Sequence, residues 1–79
     1  MENKKEILNI LGTTISTLRK KKGLSLEKLA YEMDMSKGNL SDIENGIKNP
    51  TFTTLRKISE GLDIPTSKLL REFEKQETK

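Results

Sequence analysis

The side chains with chemistry to offer gather in one short stretch, Ser36-Lys37-Gly38-Asn39-Leu40-Ser41, where five of six residues are small or polar. That chemistry is hydrogen bonding. A lysine supplies donors only, while an asparagine presents a donor and an acceptor side by side. These groups match base edges: lysine the O6 and N7 of guanine, an amide the N6 and N7 of adenine. Gly38 between them contributes by absence, allowing close backbone approach. A second cluster, Arg19-Lys20-Lys21-Lys22, suits an anionic polymer. It equally suits the last turn of a helix, whose C-terminal dipole favours cations.

Catalytic and metal chemistry lack their usual parts. The chain has no cysteine and no histidine, hence no disulfide framework, thiol nucleophile or zinc site of the usual kind, and no side chain that ordinarily titrates near neutrality. No enzyme activity, cofactor, metal or small-molecule ligand is expected. Seventy-nine residues allow one domain with a small core, so a deep cleft is not expected either. No apolar run approaches the roughly 20 residues that span a bilayer, which argues against a membrane partner. The net charge of +3 is unevenly spread: residues 1–24 carry six Lys/Arg against two Glu, residues 25–50 three against five acids, and residues 51–79 six against five.

The elements that position these residues read as five short helices, with no period-two alternation of a half-buried strand. The first opens at Asn3, where Asn-x-x-Glu resembles a capping box, and closes at Gly23. Its Ile7, Leu11, Ile15 and Leu18 share one face; Leu8 and Ile10 lie off it. Ser25 caps a second helix carrying Leu26, Leu29, Ala30 and Met33, and Asp34-Met35 interrupts it before Ser36 caps a third. The third turns Leu40 and Ile43 inward and ends at Asn45-Gly46. Thr51 caps a fourth, with Phe52, Leu55, Ile58 and Leu62 as its core face. After Asp63-Ile64-Pro65 a fifth presents Leu69, Leu70 and Phe73. The expected domain is residues 1–75, with a fraying polar tail at 76–79.

Two short helices joined by so tight a turn must cross steeply with their axes close, which requires a small residue where the third helix approaches the second. Ala30 meets that demand, and Leu40 and Ile43 fill the wedge.

With these residues in place, the stretch from Leu11 to Leu70 resembles the Xre-type helix-turn-helix family of lambdoid phage repressors and Cro proteins. The resemblance is carried by Leu11-Gly12, Ile15, Leu18-Arg19, Gly23-Leu24-Ser25, Leu29-Ala30, Leu40-Ser41-x-Ile43-Glu44-x-Gly46, Asn49-Pro50, Leu55, Ile58, Leu62 and Leu69-Leu70. It implies an all-α, compact five-helix bundle in a bacterial or phage-encoded cytoplasmic regulator, probing operator DNA commonly as a dimer. Three positions depart from the family's pattern. Leu26 stands where a phosphate-touching glutamine is usual, leaving only the backbone N–H there. Asp34 occupies a turn position where glycine is frequent. Asp42 puts an acid on the DNA-facing part of the third helix, where it either accepts from a cytosine amino group or lowers affinity and filters wrong sites.

The resemblance sets the third helix in the major groove, N-terminal end foremost. Lys37, Gly38, Asn39, Ser41 and Asp42 are then the expected base-contacting residues. Ser25, Leu26, Ser36, Asn45, Lys48 and Asn49 are the expected phosphate contacts, with free N–H groups at Leu26 and Glu27 at the start of the second helix. Arg19 and Glu44 are implied to form a partly buried ion pair tying the first helix to the end of the third.

Leu70 and Phe73, with Leu8 and Ile10, have no obvious internal partners. A homodimer through the fifth helix would cover them and set two recognition helices about 34 to 36 Å apart on a palindromic double-stranded operator. Alternatively Leu8, Ile10 and Phe73 pack together within one subunit. The function expected is a sequence-specific transcriptional regulator, most simply a repressor. A restriction-modification controller shares these residues, and the rival class is a protein-protein module, such as an adaptor or a toxin-neutralising antitoxin.

Overall fold

The computed structural model describes residues 3–78. They form five helices, α1 (Lys4–Lys21), α2 (Leu26–Glu32), α3 (Lys37–Glu44), α4 (Phe52–Gly61) and α5 (Thr66–Glu77), with no strand among the described residues. Four begin on a side-chain cap. Asn3 accepts from the Glu6 N–H at 2.8 Å, Ser25 from Lys28 at 3.0 Å, Ser36 from Asn39 at 3.1 Å and Thr51 from Thr54 at 3.2 Å. Each satisfies a donor that the first turn would leave unpaired. α5 differs: it begins on Pro65, which has no side-chain oxygen to offer.

The first four helices share one ending. The residue after the C-cap is left-handed, Gly23 (φ 78), Asp34 (φ 54), Gly46 (φ 75) and Asp63 (φ 59). The next N–H reaches back five residues in each case, Leu24 to Arg19, Met35 to Ala30, Ile47 to Asp42 and Ile64 to Ser59, at 2.9 to 3.1 Å. This is the Schellman arrangement, which ends a helix while pairing its last carbonyls. Asp34 adopts the backbone expected of it in the turn. Asp63 does the same between α4 and α5, where the sequence indicated only a break.

The core joins Leu11 and Ile15 of α1, Leu29 and Ala30 of α2, Leu40 and Ile43 of α3, Ile58 of α4 and Leu69 of α5, with Met33 and Leu62 from the turns. α1 packs on α3 and α5, α2 on α3 and α4, and α4 on α5. Two of the expected core residues lie outside it: Ile7 is 38% and Phe52 63% exposed. Both sit near the start of their helices, where the apolar period continues past the last neighbour it could pack on. Thr14 and Ser59 are buried instead, each hydroxyl donating to the carbonyl one turn back, Ile10 at 2.8 Å and Leu55 at 3.0 Å. That bond removes the usual penalty for a buried hydroxyl. Gln76 and Glu77, expected in the fraying tail, continue α5; Lys79 lies outside the described residues.

Candidate nucleic-acid interface

Residues 33–36 turn the chain between α2 and α3, and Ala30, Leu40 and Ile43 are buried where the two helices meet. With those positions committed to the core, the opposite face of α3 is left to solvent. Lys37, Gly38 and Asn39 are exposed at its N-terminal end, and Ser41 and Asp42 are half-buried further along. A Cβ added to Gly38 would meet nothing within 4 Å, so this glycine is demanded neither by packing nor by its backbone angle.

The exposed side chains hold one another. Lys37 Nζ donates to Glu27 Oε2 at 3.0 Å, tying the tip of α3 to the first turn of α2. That hydrogen bond, aided by Glu27's own backbone N–H, holds the Glu27 carboxyl below the usual glutamate range. Lys48 Nζ donates to Asn39 Oδ1, and Asn45 Nδ2 to Ser41 Oγ at 3.2 Å. The loop carrying Lys48 is itself fixed, because the N–H groups of Ile47 and Lys48 both donate to the Asp42 carbonyl, at 2.9 and 3.2 Å.

Of the remaining expected phosphate contacts, Ser25 and Ser36 are exposed and engaged as caps, Asn49 is exposed, and Leu26 is half-buried against the core. The Leu26 side chain thus serves packing, leaving only its backbone to serve an anion.

α3 is braced from behind. Arg19 Nε and Nη2 donate to the two carboxylate oxygens of Glu44 at 2.7 and 3.0 Å, and Nη1 donates to the Leu24 carbonyl at 2.8 Å. The side chains are 11% and 9% exposed, and the Glu44 carboxylate raises the arginine's pKa against the effect of burial. Beside this pair, Gly12 lies so close to the backbone carbonyls of Ile43 and Glu44 that a Cβ would collide with both. The basic block is accordingly divided: Arg19 belongs to the brace, Lys22 lies 3.5 Å from Asp63, and Lys20 and Lys21 are exposed.

The two residues expected at a dimer surface also separate. Leu70 is 38% exposed, whereas Phe73 is half-buried and packs against the chain's own core. Leu8 and Ile10 are half-buried too, on the helix that packs against α5. Phe73 thus finds the internal partners that its sequence position did not reveal. Apolar side chains that the sequence did not single out as surface features, Tyr31 (82% exposed) and Ile47 (71%), stand out in solvent.

A family model described as Helix-turn-helix matches residues 15–69, more than half of the chain. The HTH-type transcriptional regulator SutR of Escherichia coli (strain K12) is 42% identical over 67 residues, which are 85% of this chain and 36% of SutR; the chain thus spans only about a third of that regulator. The control protein C.MunI of a Mycoplasma species is 41% identical over 66 residues, covering 82% of this chain and 89% of C.MunI. Among solved structures, the restriction-modification controller protein C.Esp1396I, a tetramer in complex with its 35 base-pair operator, superposes with a TM-score of 0.87 at 27% identity. That match covers 92% of this chain and 96% of the controller chain.

Proposed function

This chain belongs to the helix-turn-helix family, and from that premise we propose that it is a sequence-specific transcriptional regulator that binds double-stranded operator DNA through α3. One observation carries the reading. α3 turns its apolar side chains into the core, is pinned by the Arg19–Glu44 pair, and offers Lys37, Gly38 and Asn39 to solvent at one end. A rigid helix with a small, donor-rich tip fits a major groove, and the tip is the part of such a helix that reaches base edges.

In this reading Lys37, Gly38 and Asn39 meet bases, with Ser41 and Asp42 behind them. Ser25, the Leu26 backbone, Ser36, Asn45, Lys48 and Asn49 hold phosphates on either side. Lys37 exchanges Glu27 for a base as it docks. The protein acts in the cytoplasm as a homodimer on a palindromic site and catalyses no reaction; among the described residues no helix is long and apolar enough to cross a membrane. Leu70, exposed on α5, belongs to the dimer surface, with Phe73 three positions further along the same helix.

A restriction-modification controller is the more specific form of this reading. It is supported by likeness to such controllers: C.MunI is 41% identical over 66 residues and C.Esp1396I superposes with a TM-score of 0.87. The test is a selection of bound duplexes from a random library. The expected result is a single enriched site on which Lys37→Ala and Asn39→Ala each lose about 1 to 3 kcal/mol, with little change on random DNA. Wild-type affinity of both variants for the enriched site would refute the assignment of α3. Failure to be retained on heparin, or to enrich any site, would favour a protein-binding module instead.

A further inference from the structure

Asparagine reads adenine by using both ends of its amide, the oxygen accepting from N6 and the nitrogen donating to N7. In this protein the oxygen end is already engaged by an ammonium. Lys48 donates its ammonium to Asn39 Oδ1, and the direction of that bond is compulsory, since an ammonium has three donors and no acceptor. The amide can face Lys48 only with its oxygen, which leaves its NH2 group for whatever approaches the exposed side of Asn39.

The fold brings the two residues together. The loop that carries Lys48 hangs by two N–H donors from the Asp42 carbonyl on α3 itself. Its entry residue Gly46 is seated so tightly on Asn9 of α1 that a Cβ there would collide. Asn39's own N–H is tied to Ser36 at 3.1 Å. Backbone anchors on both sides therefore hold Asn39 and Lys48 within reach of one another. The third polar group at the tip, Lys37, also brings donors only.

A surface of donors is complementary to a base that shows acceptors. Guanine presents N7 and O6, both acceptors, whereas adenine presents an acceptor beside the N6 donor, which would here have to share Asn39 Oδ1 with the Lys48 ammonium. We infer that Asn39, oriented by Lys48, selects guanine and not adenine at the base pair it meets. The inference deepens the regulator reading and rests on it. It also gives Lys48 two tasks, since the donors not used on Asn39 remain free for a phosphate.

The experiment is a selection from random duplexes with wild type, Asn39→Ala and Lys48→Met, the last keeping a long apolar stem without the donors. The base pair whose preference disappears in Asn39→Ala is the one Asn39 meets. Guanine is expected there in wild type, and in Lys48→Met the guanine-to-adenine ratio falls about tenfold, within the range one bidentate contact commands. Adenine at that position in wild type, an unchanged ratio in Lys48→Met, or no position that responds to Asn39→Ala overturns the inference while leaving DNA binding intact. A wild type that selects no sequence at all brings down the regulator reading itself. Because both residues are exposed, the variants should melt with wild type, and a matching thermal transition assigns any change in selection to the interface.

Discussion

Arg19 and Glu44, twenty-five positions apart in sequence, meet through two hydrogen bonds of 2.7 and 3.0 Å and join α1 to the last turn of α3. Neither side chain is more than 11% exposed, so removing one leaves the other charged, desolvated and unmatched. Arg19→Met or Glu44→Ala should cost about 3 to 5 kcal/mol, as for other broken buried pairs. Chemical denaturation of each variant measures this. DNA binding in either should fall in proportion to the unfolded fraction; a variant that melts like wild type yet no longer binds would make these residues DNA contacts.

Two glycines separate stability from binding. Gly12→Ala forces a methyl group against the Ile43 and Glu44 carbonyls, backbone atoms that cannot swing aside, and should lose about 1 to 3 kcal/mol of stability. Gly38→Ala meets open space in the first turn of α3 and should gain at most about 0.5 kcal/mol, the lower end of the mid-helix range. Despite that gain it should weaken binding to the selected operator. Paired melting and binding curves for the two variants check both signs, and a Gly38→Ala protein that binds as tightly as wild type would show that the tip does not approach DNA closely.

The Glu27 carboxyl is held below its usual range, first by the hydrogen bond from Lys37 and then by its own backbone N–H. A carboxyl whose folded value is depressed contributes its stabilisation above the ordinary glutamate range and loses it as pH falls through the depressed value. The Glu27–Lys37 contact should therefore persist from neutrality down through the usual titration of glutamate. A carboxyl-carbon NMR titration should show Glu27 titrating late on acidification, and Lys37→Ala should move its midpoint upward. Because Glu27 is fully exposed, the global melting temperature should hardly respond to the same substitution.

For assembly, Leu70 and Phe73 carry different expectations. Leu70 is partly exposed, so Leu70→Asp should remain folded and sediment as a monomer at micromolar concentration, with sharply reduced binding to a palindromic site. Phe73 packs on its own core, so Phe73→Asp should unfold the domain before it reports on association. A wild type that stays monomeric both free and on operator contradicts the dimer.

What the sequence made legible was mostly local. The caps Asn3, Ser25, Ser36 and Thr51 and the helix ends at Gly23, Asp34 and Gly46 act within a few residues of themselves, so residue type and spacing are enough. Leu40, Ile43 and Ala30 were readable because helical period and a tight turn leave them little choice. Phe52 and Ile7 fall outside the core because period says which face a residue shares and not where the neighbouring helix ends. The pairs Glu27–Lys37 and Asn39–Lys48 were invisible for another reason. They join different elements across ten and nine positions, and their partners are set by how helix and loop pack. The crowding at Gly12 follows the same rule, since the carbonyls that forbid a side chain there come from α3.

The absence of a side-chain cap on α5 has a dynamic consequence. Its first turn is held by the Pro65 carbonyl, which accepts from Lys68 and Leu69 at 3.0 and 3.3 Å, without the extra bond of about 1 kcal/mol that a capping oxygen gives the other helices. The first turn of α5 should accordingly fray more readily than those of α1 to α4, and its amide protons should exchange with solvent sooner than theirs. A second copy resting on Leu70 would bind only the closed form, and by mass action would slow that exchange as protein concentration rises. The amount of protein in solution would then govern how long its last helix stays shut.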